Sequence, residues 1–176
     1  DLCLAAVTQD RRSSEHVPDK LKPEIYLEVV THNGWALKDV PTESRTKEIC
    51  LAAVTQNGWA LKDVPTKLRT PYLCLTAVTQ DGWALGYVPI ELRVKEICLA
   101  AVTQDGYSLK YVPDELKTPD LCLAAVKHQG FALRYVPVQL RTKKICITAV
   151  LQNRLALNYV PDELLPLDEL DFITIM

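Results

Sequence analysis

Apolar and polar positions along the chain recur with a fixed period of 24 residues. The continuously apolar run Ile49-Cys50-Leu51-Ala52-Ala53-Val54 returns as Leu73-Cys74-Leu75-Thr76-Ala77-Val78, and again in the runs beginning at Ile97, Leu121 and Ile145. Ile25-Tyr26-Leu27 keeps the same step, and Leu2-Cys3-Leu4 stands 23 residues before it. A proline follows 16 residues after each start, at Pro18, Pro41, Pro65, Pro89, Pro113, Pro137 and Pro161. Seven repeats result, beginning near residues 2, 25, 49, 73, 97, 121 and 145, and a fixed period of this size marks a repeat architecture. A longer period of 48 residues also shows, because Thr70 to Lys117 and Thr118 to Leu165 carry matching TP, KIC or EIC, and YVPDEL segments in the same order.

Two readings of one repeat compete. In LCLTAVTQDGWALGYVP, residues 73–89, Asp81-Gly82 between two apolar stretches is a hairpin signal. The first stretch does not alternate, however, and Thr70-Pro71 and Thr118-Pro119 supply an N-cap followed by an N1 proline, with Asp120 near the positive helix end. Helix is the better reading. Glycine then becomes a left-handed residue ending the first helix, and Trp83 to Val88 forms a short second helix stopped by Pro89. Leu85 and Val88 share one face, and Trp83 and Tyr87 another.

An αα-hairpin this small cannot bury its own apolar face, and helices this short are marginal in water. Stability must come from stacking, so the expected fold is all-α, an elongated α-solenoid of about seven 24-residue helix-turn-helix repeats forming a single repeat domain over residues 1–176. The ends depart from the pattern. Arg11 and Arg12 replace the glycine and aromatic positions in the first repeat, with Ser14 at the leucine position, and Arg154 and Leu155 stand at the first two places in the last. After Pro166 the register is lost, and LDELDFITIM fits a capping helix, an interface strand or the truncated start of another repeat.

With 48% apolar and 24% charged residues, the composition is that of an ordinary soluble domain. No run reaches the roughly 18 apolar residues of a membrane-spanning helix, which excludes insertion of that kind. The chain opens in mid-pattern without an initiator Met, as a fragment of a longer protein would. A net charge of -2 gives no global attraction to nucleic acid or anionic lipid.

Cys3, Cys50, Cys74, Cys98, Cys122 and Cys146 all hold one repeat position, with Tyr26 in the remaining repeat. Stacked helices place such rungs about 8 to 10 Å apart, too far for the Cα separation of about 7 Å that a disulfide tolerates. CxxC pairs are absent, so the thiols read as small buried apolar groups, consistent with a cytoplasmic or other reducing compartment. His32 and His128 share a position that holds Gln in most repeats, and His16 lies in the irregular first repeat; all three read as solvent-facing. Asp162, Glu163, Asp168, Glu169 and Asp171 read as a solvated terminus. Nucleophile elbows, phosphate loops, HExxH and calcium loops are absent; no catalytic constellation, metal site or cofactor is expected.

Two ladders are candidate binding features. Lys22, Arg45, Arg69, Arg93, Lys117 and Arg141 recur four places after the prolines and define a basic edge. That edge fits a phosphate track, as in helical-repeat readers of RNA, or a structural role neutralising helix C-termini and pairing with Glu43, Glu91 and Glu115. Trp35, Trp59, Trp83, Tyr107 and Phe131 follow the glycine position and are expected in the core between repeats. Tyr87, Tyr111, Tyr135 and Tyr159 stand four residues further on, where Asp39 and Asp63 stand in earlier repeats, so that position is partly exposed. The tyrosine row is the preferred contact surface for a protein partner.

TPDLCLAAVKHQGFALRYVP and KEICLAAVTQNGWALKDVP resemble the tandem repeats of the domain-of-unknown-function family DUF4116, from Leu2 to about Leu164. The departures are Arg11-Arg12 and Arg154-Leu155. The resemblance implies a repeat module common in proteins and effectors of intracellular bacteria, with no activity to carry over. The expectation is therefore a non-catalytic scaffold that binds a protein partner, a host protein if secreted into the host cytosol, as the recognition arm of a larger bacterial effector. The alternatives are nucleic-acid or phosphoinositide binding through the basic edge, and a specificity module for an enzyme outside this fragment.

Overall fold

A computed structural model describes residues 18–165. The first repeat, with Cys3, Arg11, Arg12, Ser14 and His16, and the tail from Pro166, with Asp168, Glu169 and Asp171, lie outside the described residues. Six α-helices occur among those described: α1 (Lys22–His32), α2 (Lys47–Gln56), α3 (Pro71–Gln80), α4 (Lys95–Gln104), α5 (Pro119–His128) and α6 (Lys143–Gln152). Each is followed by a six-residue 3-10 helix and then a three-residue 3-10 turn, and no strand occurs among the described residues. The architecture is an all-α solenoid of tandem repeats, as the period requires. It divides into two compact units, residues 1–92 and 93–176, taken separately below.

Helix starts follow the sequence signals. Thr46, Thr70, Thr118 and Thr142 each accept at Oγ1 the backbone N–H three residues on, at 3.3 to 3.4 Å, satisfying a donor that has no partner within the helix. Pro71 and Pro119 occupy the first helical position, where a missing N–H costs nothing. At α4 the N-cap is Val94, which offers no side-chain acceptor.

The second helix differs from expectation in type and bounds. It is a 3-10 helix, Gly82–Tyr87 in the fourth repeat, with counterparts such as Gly58–Asp63 and Gly106–Tyr111. The physical reason is its length. Between an Asx cap and a Val-Pro stop there is room for little i→i+4 bonding, and Pro disfavours α geometry in the preceding residue, so tighter i→i+3 bonds satisfy more of the segment. Asn57, Asp81 and Asp105 cap these helices by accepting the N–H two residues on, at 2.8 to 3.0 Å. With a period of three, Gly58, Leu61 and Val64 all turn inward and are buried. The third element, the turn after Val-Pro (Thr66–Leu68 in the third repeat), has no counterpart in the sequence reading.

The glycine expectation also requires correction. No described glycine has a positive φ, so left-handed geometry is not its purpose. Close approach is. A Cβ on Gly34 would collide with the carbonyl oxygen of Ala53 in the next repeat, and the same holds for Gly58 on Ala77, Gly106 on Ala125 and Gly130 on Ala149. Those alanines are themselves fully buried, small residues that let backbone meet backbone.

Within residues 18–92, α2 packs on both α1 and α3, and the 3-10 helix Gly58–Asp63 packs on those before and after it. Within residues 93–165, α5 stands in the same relation to α4 and α6. The core holds one fully buried leucine per repeat, Leu37, Leu61 and Leu85 within residues 18–92 and Leu109 and Leu133 within residues 93–165, each 0% exposed and accompanied by the buried Cys and Val positions. Each such leucine contributes about 1.5–3 kcal/mol relative to exposure. Leu157, the equivalent residue of the last repeat, is exposed.

Candidate functional site

The basic edge turns inward. Arg45 donates from Nε to Val40 O at 2.8 Å, from Nη2 to Lys38 O at 3.2 Å, and from Nη1 to Asp63 O in the next repeat. Arg69 repeats the arrangement on Val64 O at 2.9 Å, Lys62 O at 3.3 Å and Tyr87 O at 2.6 Å. Arg93 reaches Tyr111 O at 2.8 Å, and Arg141 reaches Val136 O at 2.9 Å and Tyr159 O at 2.8 Å. Those acceptors lie at the ends of 3-10 helices, where carbonyls lack helical partners and carry partial negative charge. A planar fork suits several carbonyls at once, which an ammonium does not. Lys117 and Lys22, in the same column, pair instead with Asp114 at 2.8 Å and Asp19 at 2.7 Å. The hydrogen bond from Lys117 holds the Asp114 carboxyl below its usual range. Of the two structural roles open to the column, Arg45, Arg69 and Arg141 show the helix C-terminus one, and their repeat-spanning bonds tie neighbours together.

The aromatic residues after the glycines are not buried core. Trp35 is 41% exposed, and Trp59, Trp83, Tyr107 and Phe131 are half-buried; the buried leucines occupy the interior in their place. They do meet across repeats. Trp35 and Trp59 stack at 6.4 Å with planes 22° apart, and Tyr107 meets Phe131 edge-on at 6.5 Å. Tyr87, Tyr111, Tyr135 and Tyr159 are half-buried, as the Asp39 and Asp63 substitutions at that position imply. The rows join diagonally: Tyr87 lies edge-on against Trp59 of the preceding repeat at 5.8 Å, and Tyr159 against Phe131 at 5.2 Å.

A further set of basic residues was not evident from the sequence. Lys38, Lys62, Lys110 and Arg134 stand three residues after the first aromatic, and all four are exposed. Lys62 Nζ lies 4.9 Å from the Trp35 ring centre and Lys110 Nζ 5.5 Å from that of Tyr111. The Arg134 guanidinium lies 5.4 Å from Phe131, 5.2 Å from Tyr135 and 5.9 Å from Tyr159. The signal was an aromatic-x-x-cation spacing at fixed phase, which Arg134 on Phe131 realises directly.

The Gln position is a further tie between repeats. Gln56 Oε1 accepts the Gly34 N–H at 2.7 Å, and Gln152 accepts that of Gly130 while donating from Nε2 to His128 O at 3.1 Å. At α5, His128 takes the Gln position and Gln129 the Asx cap. Gln129 makes no cap bond and reaches back one repeat, accepting the Tyr107 N–H at 2.9 Å. His32 and His128 are exposed as expected, and His32 Nδ1 lies 2.9 Å from Glu28 O.

Cys50, Cys74, Cys98, Cys122 and Cys146 are free and fully buried. Burial pushes the thiols of Cys50, Cys74, Cys98 and Cys122 up to about 11, against a smaller opposing effect from the nearby basic residue, and raises Cys146 likewise. Such groups stay protonated and unreactive. Among the described residues, no cluster of three or more His, Cys, Asp or Glu can hold a metal ion, and no helix is long and apolar enough to cross a membrane.

Fold and surface together define a class, a helical tandem-repeat protein whose distinctive side chains recur at fixed repeat positions among the described residues. The model of a family described as a domain of unknown function, DUF4116, matches residues 23–69, 72–117 and 118–165, most of the chain, and the chain belongs to that family. Each match spans two repeats, which agrees with the 48-residue period. Searches of curated proteins and of solved structures returned no match.

Proposed function

We propose that this array is a non-catalytic scaffold that binds a protein partner, as the recognition arm of a larger bacterial effector acting in a reducing compartment such as the host cytosol. The observation that carries the reading is the half-exposed aromatic surface. In residues 18–92 it consists of Trp35, Trp59, Trp83 and Tyr87, and in residues 93–165 of Tyr107, Tyr111, Phe131, Tyr135 and Tyr159. The buried leucines already supply the core, so these rings add large apolar contact area at the surface, with a polar handle on each tyrosine. Aromatic residues of this kind anchor protein interfaces. Buried, protonated thiols in every repeat from the third onward suit a reducing environment. The basic edge adds less to a binding reading, because Arg45, Arg69, Arg93 and Arg141 donate to backbone carbonyls.

The test is affinity capture from host-cell lysate with the wild-type chain and with a Tyr111→Ala, Tyr135→Ala, Tyr159→Ala variant shown by circular dichroism to melt as a folded protein. The expected result is loss of specific captured proteins from the variant. An identical set of captured proteins overturns the proposal.

A further inference from the structure

We infer that Arg134 and Lys110, set among the rings of Phe131, Tyr135, Tyr159 and Tyr111, form a carboxylate-binding face that takes an acidic, extended segment of a protein partner. The inference rests on the protein-binding reading above and names the chemistry which that surface recognises.

Two sets of cations recur in the same repeats in opposite states. Arg141 has Nε and Nη1 committed to the carbonyls of Val136 and Tyr159. Arg134 is exposed, and its contacts are with three ring faces and edges within 5.9 Å. Cation–π attraction acts on the charge and does not use up the N–H fork, which stays available to two oxygens of one carboxylate. The rings also limit the rotamers of Arg134, so less side-chain freedom is lost when a ligand binds. Lys110, exposed over Tyr111, places a second cation one repeat earlier.

The face in residues 93–165 is positive and free of acids at the repeat positions concerned. Positions 110, 134 and 158 hold Lys, Arg and Asn, and positions 111, 135 and 159 hold Tyr, where residues 39 and 63 are Asp. Charge complementarity therefore selects an acidic ligand. A nucleic-acid chain fits less well for two reasons. The chain carries a net charge of -2, without the basic footprint such ligands need. Its rings here meet edge-on, at 77° and 84°, and present no parallel platform for stacked bases. Neighbouring repeats stand about 8–10 Å apart and an extended peptide advances about 3.3 Å per residue, so acids at every third residue match successive cations.

Fluorescence anisotropy with the full chain tests this, using a fluorescein-labelled ten-residue peptide with Glu at every third position and Ala between. Saturable binding is expected, weakened by about tenfold or more in Arg134→Gln, as loss of a charge-assisted fork requires. Lys110→Gln weakens it too, Lys127→Gln on the exposed end of α5 leaves it unchanged, and the peptide with Gln in place of Glu does not bind. Absence of binding to the Glu peptide, equal binding of the Gln peptide, undiminished binding by both Arg134→Gln and Lys110→Gln, or tighter binding of a labelled ten-nucleotide oligouridine each overturns the assignment. None of these touches the broader reading, which stands or falls on capture by the tyrosine variant.

Discussion

Nη1 of Arg69 donates to the carbonyl oxygen of Tyr87 across 2.6 Å, joining residues 18 apart in sequence and one repeat apart in the stack. Because Nε and Nη2 of the same guanidinium hold Val64 O and Lys62 O, one side chain closes the end of its own 3-10 helix and fastens the next. Arg69→Met keeps most of the aliphatic stem and removes every donor. Hydrogen bonds to charged groups contribute about 1.5–3 kcal/mol, so urea denaturation is expected to show a loss of about 2–4 kcal/mol, with part of it recovered in Arg69→Lys. An unchanged midpoint in Arg69→Met would show that the clasp contributes nothing to stability.

Ser108 is the opposite case, a polar group in the wrong place. It is fully buried with no partner for Oγ, at a position where Ala60, Ala84, Ala132 and Ala156 are buried in other repeats. Ser108→Ala removes an unsatisfied hydroxyl without opening a cavity of consequence. It is expected to stabilise the protein by about 1 kcal/mol, read as a raised melting temperature. Destabilisation would mean that the hydroxyl has a partner.

The cysteine column gives stability a pH dependence. Unfolded thiols ionise near 9.0, and those of Cys50, Cys74, Cys98 and Cys122 in the folded chain near about 11. Between those values the unfolded state releases protons that the folded state retains, so this contribution is fully present below 9.0 and is lost as pH rises towards about 11. Urea midpoints measured from pH 7.5 to 10.5 are expected to fall with pH, and to fall less steeply in Cys74→Ala. Parallel profiles for the two proteins would remove the thiols as the cause.

Much of this could be read from the chain alone. The period of 24, the threonine caps, the N1 prolines, the inward pairing of Leu85 with Val88 and the buried thiols are all properties of spacing and residue type. They are legible because helix caps and apolar periodicity act over a few residues, and repetition states the same signal several times. The family resemblance rested on that signal, and the matched residues bear it out.

What the tertiary structure alone decided concerns groups whose partners lie in the next repeat. Whether glycine answers a left-handed turn or a carbonyl arriving from a neighbour depends on Ala53 and its equivalents, 19 residues on from each glycine. Whether arginine is a free edge or a clasp depends on carbonyls 18 residues away. Stacking left the aromatics half-buried beside the leucine core and put Arg134 next to Tyr159 of the following repeat. Local sequence determined which segments form helix in this protein, because those bonds close within four residues. Stacking determined what its glycines, arginines and aromatics do, because their contacts form only when one repeat meets another.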